Sequence, residues 1–165
     1  MAFYTNYRFR KLGLDGLIDV IYSPFDHDLP SGMSAAQIRK YPSHYYNLNY
    51  TAHKHTPKGS FKPDQAVLTA ILDSEDADHR HAVYIGDSPM KDIPMAQAVG
   101  VFDVLAEYGA AQSRSEYQLL REVTHWTDGD VAREKAIRDR YAAGGVTPSM
   151  IAYESFAEIL PLFQE

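Results

Sequence analysis

One lysine and two aspartates have the types and spacing from which chemistry can be argued. Asp87 and Asp92 stand five residues apart just after the apolar run of residues 82–85, and Lys62 lies 25 residues before the first of them. Two carboxylates held close together repel one another, so the pair calls for a cation or a shared proton. All-oxygen ligation suits a hard cation, and Mg2+ takes one or two carboxylates along with waters and phosphate oxygens. Such an ion neutralises phosphate charge and stabilises a transferring phosphoryl group. Lysine, a compact point charge, suits a phosphate oxygen or an adjacent carboxylate. A helix expected directly behind Lys62 adds the positive potential of its amino-terminal amides. Asp87 and Asp92 are therefore the candidate Mg2+ residues, with Lys62 as the cation facing the phosphoryl group.

The elements that must position these residues follow from the hydropathy pattern. Three short apolar runs rich in β-branched residues, 17–22, 82–85 and 101–106, are expected to be buried strands, the third interrupted by Asp103. Residues 63–72 form a helix with Pro63 and Asp64 in its first turn, where both residue types are favoured. Residues 93–99 form another, stopped by Gly100. Further helices are expected over residues 1–16, over 130–143, and from Ser155, whose spacing to Glu158 is that of a capping box. Strands alternating with helices favour an α/β domain with a parallel sheet. In such sheets ligands bind beyond the carboxyl ends of the strands, which is where Asp87 falls, and Gly86 lets the chain turn sharply as it leaves the sheet. Residues 41–61, rich in Tyr, His, Asn, Pro and Lys, are expected to be a long loop delivering Lys62 to the site.

Composition narrows the partners. The chain has 165 residues, one domain's worth, with 45% hydrophobic and 23% charged residues, as in ordinary globular proteins. A formal net charge of −6 argues against nucleic acid and anionic membranes. No apolar stretch approaches the roughly 20 residues a membrane helix needs, and the amino terminus carries no signal-peptide pattern. Without cysteine there is no disulfide and no thiolate metal site. A cytoplasmic protein is the expectation; no oligomeric state follows.

Lys62-Pro63, then Val83 through Ser88 with Asp92, then Met95-Ala96, Ala98, Gly100 and Tyr108-Gly109 resemble the third and fourth motifs of the haloacid dehalogenase-like (HAD) hydrolases. The resemblance implies a Rossmann-like three-layer parallel sheet, incomplete here at the amino terminus, in a single partial core domain over residues 1–165 with a helical extension over 117–165. It further implies Mg2+ as cofactor, a small phosphorylated metabolite as substrate, Asp87 as a metal ligand and Asp92 as its support, directly or through water. Lys62 would orient the nucleophilic aspartate and offset charge in the phospho-enzyme, and Ser88 would contact the groups around the metal.

The family's nucleophile, an Asp-x-Asp directly after the first strand, is not found where the family places it. Asp26-His27-Asp28 follows a strand, but Ser23-Pro24 intervenes and proline ends a strand. Asp128-Gly129-Asp130 resembles a helix start. Thr5 follows a short apolar run but stands too close to Leu12 to be the family's Ser/Thr motif. The expectation is a carboxy-terminal portion, inactive alone because no aspartyl-phosphate can form. The alternative is a non-catalytic module that binds Mg2+ or a phosphorylated ligand, or that pairs with another chain through an open sheet edge. A receiver domain is disfavoured, since its lysine follows the acids whereas Lys62 precedes them. His53 and His55 are read as solvated loop residues, and His125-Trp126 as a packed Trp beside a cap. Tyr45, Tyr46 and Tyr50 are open between lining a lid and packing the loop.

Overall fold

The computed structural model describes residues 2–25, 28–110 and 146–164, with scattered positions between 119 and 144. Two compact units make up the chain, Met1–Ser60 and Phe61–Glu165. Both are α/β, and every strand pairing among the described residues is parallel.

In the first unit, helix α1 (Ala2–Lys11) and helix α2 (Ala35–Ile38) accompany strands β1 (Val20–Ser23) and β2 (Ala52–His55). The two strands pair in register from Val20 with Ala52 to Ser23 with His55. The expected loop over 41–61 thus contains a strand, preceded by a 3-10 turn at Ser43–Tyr46. The sequence Ala-His-Lys-His lacks the β-branched residues that announce a strand. Its pairing is set instead by Asp15, whose carboxylate accepts the backbone N–H groups of Asn49 at 2.9 Å and of Tyr50 and Thr51 at 3.0 Å. Those three bonds hold the Asp15 pKa below the ordinary carboxylate value, Asn49's the most. Thr51 continues the tie by donating its hydroxyl to the Ile18 carbonyl at 2.7 Å. The tyrosines divide. Tyr46 is buried beside Tyr7, which also stacks on Tyr41 at 5.0 Å, whereas Tyr45 and Tyr50 are exposed, Tyr50 at 81%.

In the second unit, helix α3 (Gln65–Ser74) precedes strand β3 (Val83–Gly86), helix α4 (Asp92–Val99) and strand β4 (Phe102–Ala106). Strand β5 (Met150–Ala152) completes a three-stranded sheet of order β3-β4-β5. Helix α3 starts two residues later than expected, because Asp64 is its cap and accepts the Val67 N–H at 3.2 Å. Helix α4 ends at Gly100, whose φ of +80° and hydrogen bonds to the Ala96 and Gln97 carbonyls close the last turn. Pro94 sits in the first turn of α4, where no intrahelical N–H is required.

Strand β4 is central, and from Asp103 to Ala106 it is buried, the near-continuous burial expected of a parallel strand covered on both sides. Val104, Ala152 and Ile159 form the core, with Val83, Ile85, Tyr108 and Met150 packed against them. Asp103, 1% exposed, interrupts the apolar run for a structural reason. Its carboxylate accepts the Ser149 N–H at 2.9 Å, the Ser149 hydroxyl at 2.6 Å and the Gln97 amide at 3.3 Å. Gln97 also donates to the Thr147 carbonyl at 2.9 Å. The segment leading into β5 is thereby fastened to the sheet before its strand begins. The sequence-expected helix over 130–143 and the segment at His125-Trp126 fall largely outside the described residues.

After β5, Ser155 and Glu158 form the expected capping box, heading a 3-10 helix, Phe156–Phe163, that contains Pro161. The Glu158 carboxylate accepts the N–H groups of Tyr153, Glu154 and Ser155 at 3.1, 2.7 and 2.9 Å. These bonds, Ser155's first, lower its pKa. A lowered carboxylate pKa contributes stability that is complete above the unfolded value, about 4.3, and is lost as pH falls through the folded one. Thermal melts between pH 3 and 7 should therefore show an acid-side loss that Glu158→Gln flattens; identical profiles would show that the cap carries no such linkage. Asp103→Ala leaves the Ser149 N–H without its acceptor in a buried setting and is expected to cost about 1–3 kcal/mol. Urea denaturation reads this loss, with faster amide exchange across β5.

Candidate functional site

Strand β3 ends at Gly86, and Asp87 follows at its carboxyl end, exposed to solvent. The chain then turns, with the Asp92 N–H donating to the Ser88 carbonyl at 3.0 Å, and α4 begins at Asp92. This reversal folds Asp92 back over the strand. Gly86 is required there for space: a Cβ at this position would overlap the Asp92 carboxyl. The expectation that Gly86 serves a sharp turn is thus corrected, since its φ is not among the positive ones and its role is close approach.

Asp92 is 2% exposed and its carboxylate is held by three donors. Oδ1 receives the Lys62 ammonium at 2.8 Å and the Tyr84 hydroxyl at 3.0 Å, and Oδ2 receives the Ser88 N–H at 3.0 Å. Lys62 stands just before α3 at a cis Lys62–Pro63 peptide, its Nζ 5.5 Å from the centre of the Tyr84 ring. Its side chain remains 57% exposed. Burial works against the Lys62 charge, but the hydrogen bonds to Asp92 and Tyr84 and the nearby carboxylate outweigh it and raise its pKa. A raised lysine pKa means the pairing persists throughout neutral pH and fails only as pH rises through that elevated value. Burial likewise raises the Tyr84 pKa, which keeps its hydroxyl a donor.

The structure thus joins Lys62 to Asp92 directly and leaves Asp87 exposed at the end of β3. Asp87 has no hydrogen bond or ion pair among the described residues, and a Cβ added at Gly109 would come within 3.3 Å of the Asp87 Cβ. Ser88 contributes its backbone N–H, while its Oγ is buried and has no hydrogen-bond partner. Tyr84 escaped the sequence reading. The signal was available, since Tyr84 and Gly86 share one face of β3 by the two-residue period, and Gly86 is where Asp92 comes to rest. Among the described residues no three His, Cys, Asp or Glu side chains are grouped to hold a metal ion. Thr5 lies inside α1, and β1 ends at Ser23 ahead of Pro24, as the proline requires; Asp26 and His27 are outside the described residues.

The family model for haloacid dehalogenase-like hydrolases matches residues 33–106. This segment of the chain is similar to that family. The matched span runs from just before α2 to the last residue of β4 and contains Lys62, Asp87, Ser88 and Asp92, while residues 12–30 and Tyr108-Gly109 lie outside it. No curated protein and no solved structure matches the chain.

The close approach at Gly86 is testable without any substrate. Gly86→Ala forces either Asp92 or the strand to move and is expected to cost about 1–3 kcal/mol, the usual range for overpacking. An unchanged urea midpoint would show that the carboxylate does not rest on β3.

Proposed function

We propose that this chain carries the cation- and phosphate-binding half of a Mg2+-dependent phosphohydrolase acting on a small phosphorylated metabolite in the cytoplasm, and that it does not turn over alone. The observation that carries this reading is the division of labour between the two aspartates. Asp92 is enclosed by Lys62, Tyr84 and Ser88, whereas Asp87 stands exposed at the strand tip with its carboxylate uncommitted.

That donor set fits Mg2+. The ion keeps several waters and is bound by one or two carboxylates plus phosphate oxygens, so a single exposed carboxylate suffices as a protein ligand. Asp87 would hold it, and Asp92, three of whose lone-pair positions already face donors, would support it through water. The unpartnered Ser88 Oγ offers a further polar atom in this region. Bound there, Mg2+ would supply charge neutralisation to a phosphoryl group. The Lys62 ammonium would bind a phosphate oxygen, with Asp92 fixing its position and its charge. Tyr84 limits the lysine's swing by holding the same carboxylate oxygen.

Turnover also needs a nucleophile, and no Asp-x-Asp directly follows a strand among the described residues. A second reading rests on that observation: the same site binding Mg2+ or a phosphorylated ligand without hydrolysis. The described helices include none long and apolar enough to cross a membrane, which is compatible with either reading.

Calorimetric titration with Mg2+ in the presence of orthovanadate, paired with a p-nitrophenyl phosphate assay, tests both. The expected result is Mg2+ binding that Asp87→Asn abolishes and Asp92→Asn weakens by about 10–100-fold, as for groups that support a metal ligand, with no phosphate release. Absence of both Mg2+ and orthovanadate binding in the folded protein defeats both readings. Phosphate release that survives Asp26→Asn and Asp28→Asn shows a nucleophile elsewhere in the chain.

A further inference from the structure

Strand β3 is apolar at Val83 and Ile85, yet between them it carries a tyrosine. Packing alone would be served by a phenylalanine or an aliphatic side chain at that position. The hydroxyl has a definite destination. It donates to Asp92 Oδ1 at 3.0 Å, the same oxygen that the Lys62 ammonium meets at 2.8 Å. Oδ2 receives only the Ser88 N–H, at 3.0 Å. Two donors therefore converge on Oδ1, one charged and one neutral, and they arrive from different segments of the chain.

The two donors differ in what else they can do. A phenol has one proton, and Asp92 takes it, so Tyr84 has none to offer a ligand. An ammonium has three, and the Lys62 side chain keeps 57% of its surface exposed, so Lys62 can donate to an anion as well. An anion that approaches Lys62 competes with Asp92 for the same positive charge and weakens the hold on Oδ1. Asp92 is almost wholly enclosed, so bulk water is poorly placed to make up the loss. Tyr84 can make it up. Its hydroxyl is neutral and is not drawn to the anion, and burial raises its pKa, which keeps the proton in place.

We propose that Tyr84 is a positioning residue whose hydroxyl holds the Asp92 carboxylate in place while Lys62 shares its hydrogen bonds and charge with a phosphoryl oxyanion. The proposal rests on the phosphoryl-binding reading of Lys62. It gives the second donor on Oδ1 a purpose: Asp92 keeps a donor on each oxygen throughout binding, and Lys62 retains a fixed partner when the ligand leaves. Tyr84 acts only through Asp92 and Lys62 and touches no reacting atom.

Urea denaturation of Lys62→Met, Tyr84→Phe and the double variant tests the shared oxygen without a ligand. Each single change leaves Oδ1 one donor and the double change leaves none, so the double variant should lose more stability than the two single losses added. Calorimetric titration with orthovanadate in the presence of Mg2+ tests the anion. Tyr84→Phe should weaken orthovanadate binding by about tenfold, as for loss of one hydrogen bond to a charged group. Because Tyr84→Phe can fail to fold, NMR of the wild-type chain stands alone. Orthovanadate should shift the Lys62 Nζ resonance while the Tyr84 hydroxyl proton stays protected from exchange with water. Additive stability losses, unchanged orthovanadate affinity in Tyr84→Phe, or a Tyr84 hydroxyl that opens on binding would each overturn the proposal alone. A wild-type chain that binds no orthovanadate, or binds it with Lys62 unmoved, overturns the proposal together with the reading of Lys62 on which it rests.

Discussion

The second unit depends on how one buried carboxylate is made tolerable. Asp92 is almost wholly enclosed, and an unpaired charge in that position would be driven to neutralise. Three donors from three different segments meet it: Lys62 ahead of α3, Tyr84 on β3, and the Ser88 N–H in the turn. Meeting that need fixes the start of α4 relative to β3 and brings the chain before α3 to the same place. It also dictates Gly86, because no side chain fits between the strand and the carboxyl group. The pair escapes the usual double penalty of a buried ion pair, in which two charges are stripped of water. Lys62 keeps more than half of its side-chain surface, so the desolvation falls mainly on the aspartate, which has the most hydrogen bonds to offset it.

The same device recurs with different partners. Asp15, Asp103 and Glu158 each receive backbone N–H groups, and each joins segments that hydropathy alone would leave loose. Asp15 sets the approach of β2 to β1, Asp103 fastens the chain ahead of β5, and Glu158 caps the closing 3-10 helix. A carboxylate is suited to this work because its two oxygens accept several bonds at once, and charge-assisted bonds are stronger than neutral ones. Short strands of three to five residues bury little surface, so such point attachments decide where their ends lie.

How much was legible follows from which forces were local. Strands β1, β3 and β4 announced themselves as apolar β-branched runs, and Gly100 and the Ser155–Glu158 spacing marked helix ends that the structure contains. Strand β2 was not legible, because Ala-His-Lys-His carries no hydropathy signal and is placed by a carboxylate more than thirty residues away. Strand β5, three residues long, is likewise recruited through Asp103. The site residues were legible as types and spacing, and Lys62 and Asp92 do meet. The pairing of Tyr84 with Asp92 was hidden, since it depends on the chain doubling back over a glycine, which spacing does not state.

That geometry also bears on what a site of this kind can do unaided. Under the proposed function, a lysine clamped by a buried aspartate and a second aspartate left in water would receive an anion and a cation without rearrangement, which lowers the cost of binding. Bond breaking in an acyl- or phosphoryl-enzyme route requires in addition a nucleophile aligned within roughly 3–3.5 Å of the reacting atom. Binding groups and nucleophile are separable in principle. Lys62, Tyr84 and Asp92 organise one another within a single unit, so the receiving side of the reaction can be in place whether or not an attacking group accompanies it.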